Sequence, residues 1–260
     1  MIDAASRASG RQVTLAKQRT RGHKRQCCGI KTVRSSLFAG LASSSIVMKA
    51  WCLHFLFALL CSGVGAMPMP EECTPLLAPL PLDDRQQLLG QRTFISGYTD
   101  NKVFDAILKI SGNTRVTINA AAHNDKDLFL YEEMMMNGTC FGTKMNISID
   151  GNVASAKMQN ITSTYHLLPT CDGCQVLSIN TTACHLKTFL DVFGIHLDEV
   201  VNDQISARSL YLFAPGNTVK DSDLEHFKKQ AHCLGFSGEP NFIIDPKKDF
   251  CDGHKVVMLN

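Results

Sequence analysis

The chain of 260 residues is 45% apolar and 19% charged, an ordinary globular composition, with a formal net charge of +2. That charge is split. Residues 1–66 hold ten Lys and Arg against Asp3 alone, which leaves sixteen basic and twenty-three acidic residues in 67–260. An acidic folded region disfavours nucleic acid as a partner.

Residues 1–47 are Arg- and Ser-rich, and KQRTRGHKR imitates a basic arm or a transit sequence. Neither reading accounts for residues 48–66. Lys49 precedes the apolar run Ala50–Leu60, which ends in Val64-Gly65-Ala66, and these are the three regions of a secretory signal peptide. The run is short of the ~20 apolar residues of a spanning helix. The expected organisation is an upstream extension (1–47) outside the biological product, a signal peptide (48–66), an N-terminal arm (67–85), one folded domain (86–251) and a tail (252–260). The product is expected to be extracellular and not membrane-spanning once the signal is cleaved.

Five prolines in 67–85 argue for an extended arm. From Phe94 onward, short β-rich runs recur at sandwich or barrel spacing, predicting strands near 92–98, 114–121, 127–136, 140–149, 153–159, 164–170, 174–180 and 207–214. Residues 102–110 suit helix or strand. Leu186, Phe189, Leu190 and Phe193 have helical spacing, as do Leu224, Phe227, Ala231 and Leu234 after the cap candidates Asp221 and Ser222. The fold class is therefore all-β: an eight-stranded antiparallel barrel with a C-terminal helix outside. An immunoglobulin-like sandwich would place a Trp between its paired cysteines, and the chain's one Trp, Trp51, lies in the signal.

Seven cysteines come after the signal: Cys73, Cys140, Cys171, Cys174, Cys184, Cys233 and Cys251. In a secreted chain they read as a disulfide framework with one sulfur over. Cys171 and Cys174 flank Asp172-Gly173, a turn dipeptide that brings its flanks within disulfide range. A redox pair would need a helix N-terminus, and none begins there. No second Cys or His pair stands at zinc spacing, so neither metal nor cofactor is expected. Sequons begin at Asn137, Asn146, Asn160 and Asn180. A glycan on Asn146 must point outward, which sends Phe141, Thr143, Met145 and Ile147 inward, and Asn180 likewise turns Leu177 and Ile179 inward. With Phe94, Tyr131 and Tyr211 these form the expected ligand-facing set, Thr143 and Tyr131 supplying polar contacts.

The blocks LLGQRTFISGYTDNKVFDAILK, LPTCDGCQVLSIN and RSLYLFAPGNTVKDSDLEHFKKQAHCLGF, with the tail to Cys251, resemble the lipocalin family in its alpha-1-acid glycoprotein and apolipoprotein M branch. They are most similar to the fish saxitoxin- and tetrodotoxin-binding lipocalins. The resemblance covers about 71–251. It implies a barrel that carries a small hydrophobic or amphipathic ligand, toxin- or drug-like and cationic given the acidic domain, with a plasma lipoprotein as a further partner. It also implies disulfides Cys73–Cys233 and Cys140–Cys251. Gly90-Gln91-Arg92 stands where the family has Gly-x-Trp, so the Trp at the barrel base is missing and Arg208 is left without its stacking partner. Thr143 and Met145 replace residues that meet a lipid phosphate in apolipoprotein M. The insertion 184–204 would sit at the barrel mouth as a lid. Two other readings are an acute-phase glycoprotein acting through its surface and glycans, and a thiol-dependent enzyme using Cys184; the expected outcome is no enzyme.

N-terminal sequencing of secreted protein should begin at Met67, and N-glycosidase should lower its mass. Secreted material that retains residues 1–47 would overturn this organisation.

Overall fold

The computed structural model describes residues 71–121, 124–196 and 204–259, with the backbone alone at 124–126 and 188. The extension and signal peptide expected over 1–66 lie outside the described residues. Eight strands carry the fold: β1 (Gly90–Thr99), β2 (Ser111–Ala121), β3 (Asn124–Met136), β4 (Thr139–Asp150), β5 (Val153–Met158), β6 (Ile161–Leu168), β7 (Gln175–Ala183) and β8 (Ile205–Ala214). Each pairs antiparallel with the next, and β8 returns to β1, closing the sheet into an up-and-down barrel.

The register decides what the barrel encloses. The Asn137-Gly138 turn, in which Asn137 has φ 47° and Gly138 φ 76°, sets Met134 opposite Phe141 and Glu132 opposite Thr143. Strand alternation then places Leu128, Leu130, Glu132, Met134 and Met136 on the inner face. A bulge in β1 between Phe94 and Ser96 adds a residue, so Phe94 and Gly97 both face inward while Ile95 and Tyr98 face out. Gly97 is required there: a Cβ would come within 2.6 Å of the Phe94 ring and 3.0 Å of Tyr211.

Ile95 and Tyr98 can be apolar on the outside because a helix covers them. This is the C-terminal helix of the fold (Asp221–Cys233), whose Phe227 and Ala231 pack with Ile95, Tyr98, Leu210 and Leu212. Asp221 and Ser222 do not cap it. Lys220 holds the cap position, and Asp221 and Asp223 sit in the first turn, where carboxylates complement the helix dipole.

The proline-rich arm is not wholly extended. Cys73–Leu77 forms a short helix, since Pro75 falls in its first turn, where no N–H is needed. Cys73 bonds to Cys233, and buried Gln230 donates to the Leu76 carbonyl at 2.9 Å and the Pro169 carbonyl at 2.8 Å. Cys140–Cys251 and Cys171–Cys174 are the other described disulfides. The two that join distant residues, 160 and 111 apart, each stabilise by roughly 4–5 kcal/mol in the chain-entropy view. Two short strands follow the C-terminal helix, the second within the expected tail. Phe242–Ile243 (β9) pairs with β1, and Val256–Leu259 (β10) runs parallel to β4 along Cys140–Thr143.

The base of the barrel is closed by an arginine. Arg92, 9% exposed, faces the interior opposite Val116 and donates to the carbonyls of Gln87, Leu88, Leu89 and Gly173 at 3.0–3.2 Å. Those of Gln87, Leu88 and Leu89 belong to or come just after a single 3-10 turn (Arg85–Leu88), which Asp84 caps by accepting from the Gln86 N–H. Buried Gln175 of β7 also donates to the Gln87 and Leu88 carbonyls. Burial pulls the Arg92 pKa below its ordinary value, but the carbonyl cage keeps the guanidinium bonded. Arg208 is far from this cage. It pairs with Asp100 at 2.8 Å and donates to the Leu234 carbonyl at 3.1 Å, so it does not lack a partner.

Arg92→Ala should leave these carbonyls unsatisfied under the plug, at a cost of about 2–4 kcal/mol. The thermal midpoint should fall by roughly 5–12 °C. A fall of less than about 2 °C would show that the base is held without it.

Candidate functional site

The strands run alternately between the plugged base and the opposite end, the mouth. Two helices lie across the mouth. The segment 102–110, which suited helix or strand, is helix α2 (Lys102–Ile110); α1 is the short Cys73–Leu77 helix. Asn101 caps α2 by accepting from the Val103 N–H at 2.9 Å, and Asp105 and Lys109 pair one turn apart at 2.7 Å. The second is α3 (Lys187–Val192), within the insertion expected to form a lid. Its Leu190, with Leu186 and Phe193, packs against Val103 of α2 and Met136 and Phe141 of the barrel wall. Phe193 meets Phe141 and Phe189 edge-on, each pair with ring centroids 5.0 Å apart.

Beneath this lid is a cavity of about 190 Å³. Phe104, Ile107 and Leu108 of α2 roof it together with Phe189 and Phe193, and Leu259 of β10 closes one side. Its walls are Met134, Met136, Met158, Ile161, Phe94 and Phe213, with Tyr211 and Thr143. Phe94 is held by stacking on Phe242, with centroids 4.5 Å apart. A second, more open hollow lies at the base beside Asp83, Asp84 and Leu128. It opens to solvent between loop residues, so the lidded space is the better ligand site.

One charged group lines the lidded cavity: Glu132. It is half-buried and lines this internal space. The Thr143 hydroxyl donates to its carboxyl at 3.4 Å. Burial lifts the carboxyl to about 7, opposed by the Thr143 hydrogen bond. Tyr211 is pushed up to about 12, by burial first, then opposed by Ser209 and raised further by Glu132 and Tyr165. Other inner-wall hydroxyls satisfy one another: Ser163 with Thr181 at 2.8 Å, and Ser209 donating to Thr99 at 3.1 Å.

Of the expected ligand-facing residues, Phe94, Thr143 and Tyr211 line the cavity. Phe141 faces inward into the lid cluster. Met145, opposite Leu130, and Ile179, opposite Tyr165, face inward below it, and Ile147 and Leu177 pack in the apolar fill toward the base. Tyr131 is a correction. It lies opposite exposed Lys144 on the outer face, where its hydroxyl donates to Glu133 at 3.0 Å. The polar wall group of β3 is its neighbour Glu132, which the pattern of Leu128 and Leu130 already placed on the inner face.

The four sequon asparagines are all exposed, Asn137 and Asn160 in turns at the mouth and Asn146 and Asn180 on the outer wall. Cys184 is disulfide-bonded, which removes the nucleophile that a thiol enzyme would need. Among the described residues, no group of three His, Cys, Asp or Glu could hold a metal, and no helix is long and apolar enough to cross a membrane.

A closed up-and-down barrel with a filled base and a lidded cavity belongs to the architecture that includes the lipocalins. Among the solved structures similar to this chain are two siderocalins and one protein that carries the lipocalin name. The siderocalin Ex-FABP, described as functioning through dual ligand specificities, is 12% identical, covers 61% of this chain and 95% of its own, and has a TM-score of 0.45. Siderocalin Q83, described as having a dual ligand binding mode, is 12% identical over 65% of this chain and 95% of its own, with a TM-score of 0.46. The bovine lipocalin allergen Bos d 2 is 14% identical over 60% and 90%, with a TM-score of 0.42. No family profile and no curated protein matches the chain.

The Glu132 titration has a stability consequence of definite sign. Between the ordinary carboxyl value near 4.5 and about 7, the unfolded chain has released a proton that the folded chain retains. Stability therefore falls as pH rises through that window. Glu132→Gln should be nearly neutral at pH 4.5 and stabilising above pH 7 by up to about 3 kcal/mol, read as a pH-dependent gain in thermal midpoint. An equal gain at both pH values would refute the raised pKa.

Proposed function

We propose that this chain is a secreted lipocalin that binds and carries one small lipophilic or amphipathic ligand in the lidded cavity. The observation that carries the reading is that cavity: walls of Met, Phe and Ile around a few polar groups, the usual make-up of a small-molecule site. Extracellular residence is supported by the disulfides, by the four exposed sequon asparagines and by the signal-like segment of the sequence. The sequence likeness to the alpha-1-acid glycoprotein, apolipoprotein M and toxin-binding branch supports a drug- or toxin-like amphiphile, and Glu132 favours one with a cationic end.

At about 190 Å³ the free space is below the 300–1,000 Å³ of common ligand pockets. A ligand is therefore small, or makes room by moving the lid and the methionines. Thioether side chains suit the second course, being unbranched and adaptable.

N-phenyl-1-naphthylamine should bind at one site per chain, read by its own emission. Met134→Trp, which fills part of the cavity, should weaken it at least tenfold, about 1.4 kcal/mol. Lys144→Glu, on the outer face, should change affinity less than twofold. Equal effects of the two substitutions, or many weak sites, would refute binding in this cavity.

A further inference from the structure

Glu132 is an unusual group for the wall it occupies. A carboxylate has about four acceptor positions, and the Thr143 hydroxyl fills one at 3.4 Å. No cation is available from the surrounding elements among the described residues. On β2 and β4, the cross-strand neighbours of Glu132 are Val116 and Thr143. Across the barrel stand Tyr165 of β6 and Tyr211 of β8, neutral phenols whose pKa values burial raises further. On α2, Lys109 is paired with Asp105, and on α3 Lys187 is paired with Asp191; neither these four nor Lys102 lines the cavity. Arg92 is committed to four carbonyls at the base. The roof directly above is aromatic and aliphatic.

A buried carboxyl without a counter-charge has two ways to avoid an uncompensated ion: take a proton, or receive a cation. Proton uptake from solvent offers the first, and a cationic ligand can offer the second. Resting on the carrier reading, we infer that Glu132 is a proton-exchanging anchor: one ammonium group of the ligand replaces the proton on its carboxyl, and acidification discharges the ligand by putting the proton back. The exchange balances, since the carboxylic acid loses H⁺ to solvent as the cation enters and regains it as the cation leaves. Contact with the apolar walls is common to charged and neutral ligands, so the carboxylate adds affinity for the cationic one alone, and only that part depends on pH. With half-protonation near pH 7, the switch works within the range of extracellular and endosomal fluids.

The test uses two competitors of one shape, 1-naphthyltrimethylammonium, whose charge is permanent, and its neutral isostere 1-tert-butylnaphthalene. Each displaces N-phenyl-1-naphthylamine from the full secreted chain at pH 8.0 and pH 5.5. The ammonium compound should bind at least tenfold more weakly at pH 5.5, while the isostere changes less than twofold. In Glu132→Gln the ammonium compound should lose both its pH dependence and its advantage at pH 8.0, with the isostere unaffected. If the isostere competes but the ammonium compound does not, or if its pH dependence survives in Glu132→Gln, the anchor is refuted and the carrier reading stands. If neither competitor nor the fluorescent probe binds, the carrier reading itself fails and the anchor with it.

Discussion

The pairing of β8 with β1 is the constraint on which the rest of the molecule depends. It converts the eight-strand meander into a closed ring, so the inner side chains face one another across an enclosed space. Without closure Glu132 would sit on a wet face and titrate as an ordinary carboxyl. With closure its environment is set by the opposite wall, including Tyr165 and Tyr211, and its proton affinity becomes a property of the whole barrel. The β1 bulge belongs to the same constraint. It keeps Phe94 and Gly97 inward while Ile95 and Tyr98 reach the C-terminal helix, so one strand is buried on both faces.

The two ends of the barrel are sealed by different physics. At the base, directional bonds from Arg92 and Gln175 converge on the carbonyls of one turn, an arrangement that breaks all at once. At the mouth, α2 and α3 are held by apolar contacts around Phe141, Leu190 and Phe193, which are non-directional and tolerate sliding. An opening for a ligand therefore belongs to the mouth. The sequence likeness pointed to a missing Trp at the base. The structure puts Arg92 itself in that place, with backbone oxygens as its partners.

Most of the barrel was legible because period-2 alternation and turn dipeptides act locally. The eight strands, the C-terminal helix and the inward face of β4 arise from residues within a few positions of one another. The sequon at Asn146 was enough to orient that strand. What was not legible depends on distant pairings. The helix over 102–110 is an exception: its Asn101 cap and Asp105–Lys109 pair are local, but its β-branched, apolar residues suit a strand equally well. The ordering of Val256–Leu259 needs β4 beside it. Glu132 lay between the two: the Asn137-Gly138 turn fixes it opposite inward Thr143, so register could have found it, whereas residue type alone favoured Tyr131.

Three sulfur atoms, those of Met134, Met136 and Met158, face the same small space as Glu132. Thioethers take up oxygen from peroxide to become sulfoxides, which are polar and chiral where the methionine was soft and apolar. Each such event would put a strong hydrogen-bond acceptor beside an already under-satisfied carboxyl. The adaptability that lets this wall accommodate a guest thus carries a chemical ageing route, by which the cavity turns hydrophilic while the fold around it stays intact.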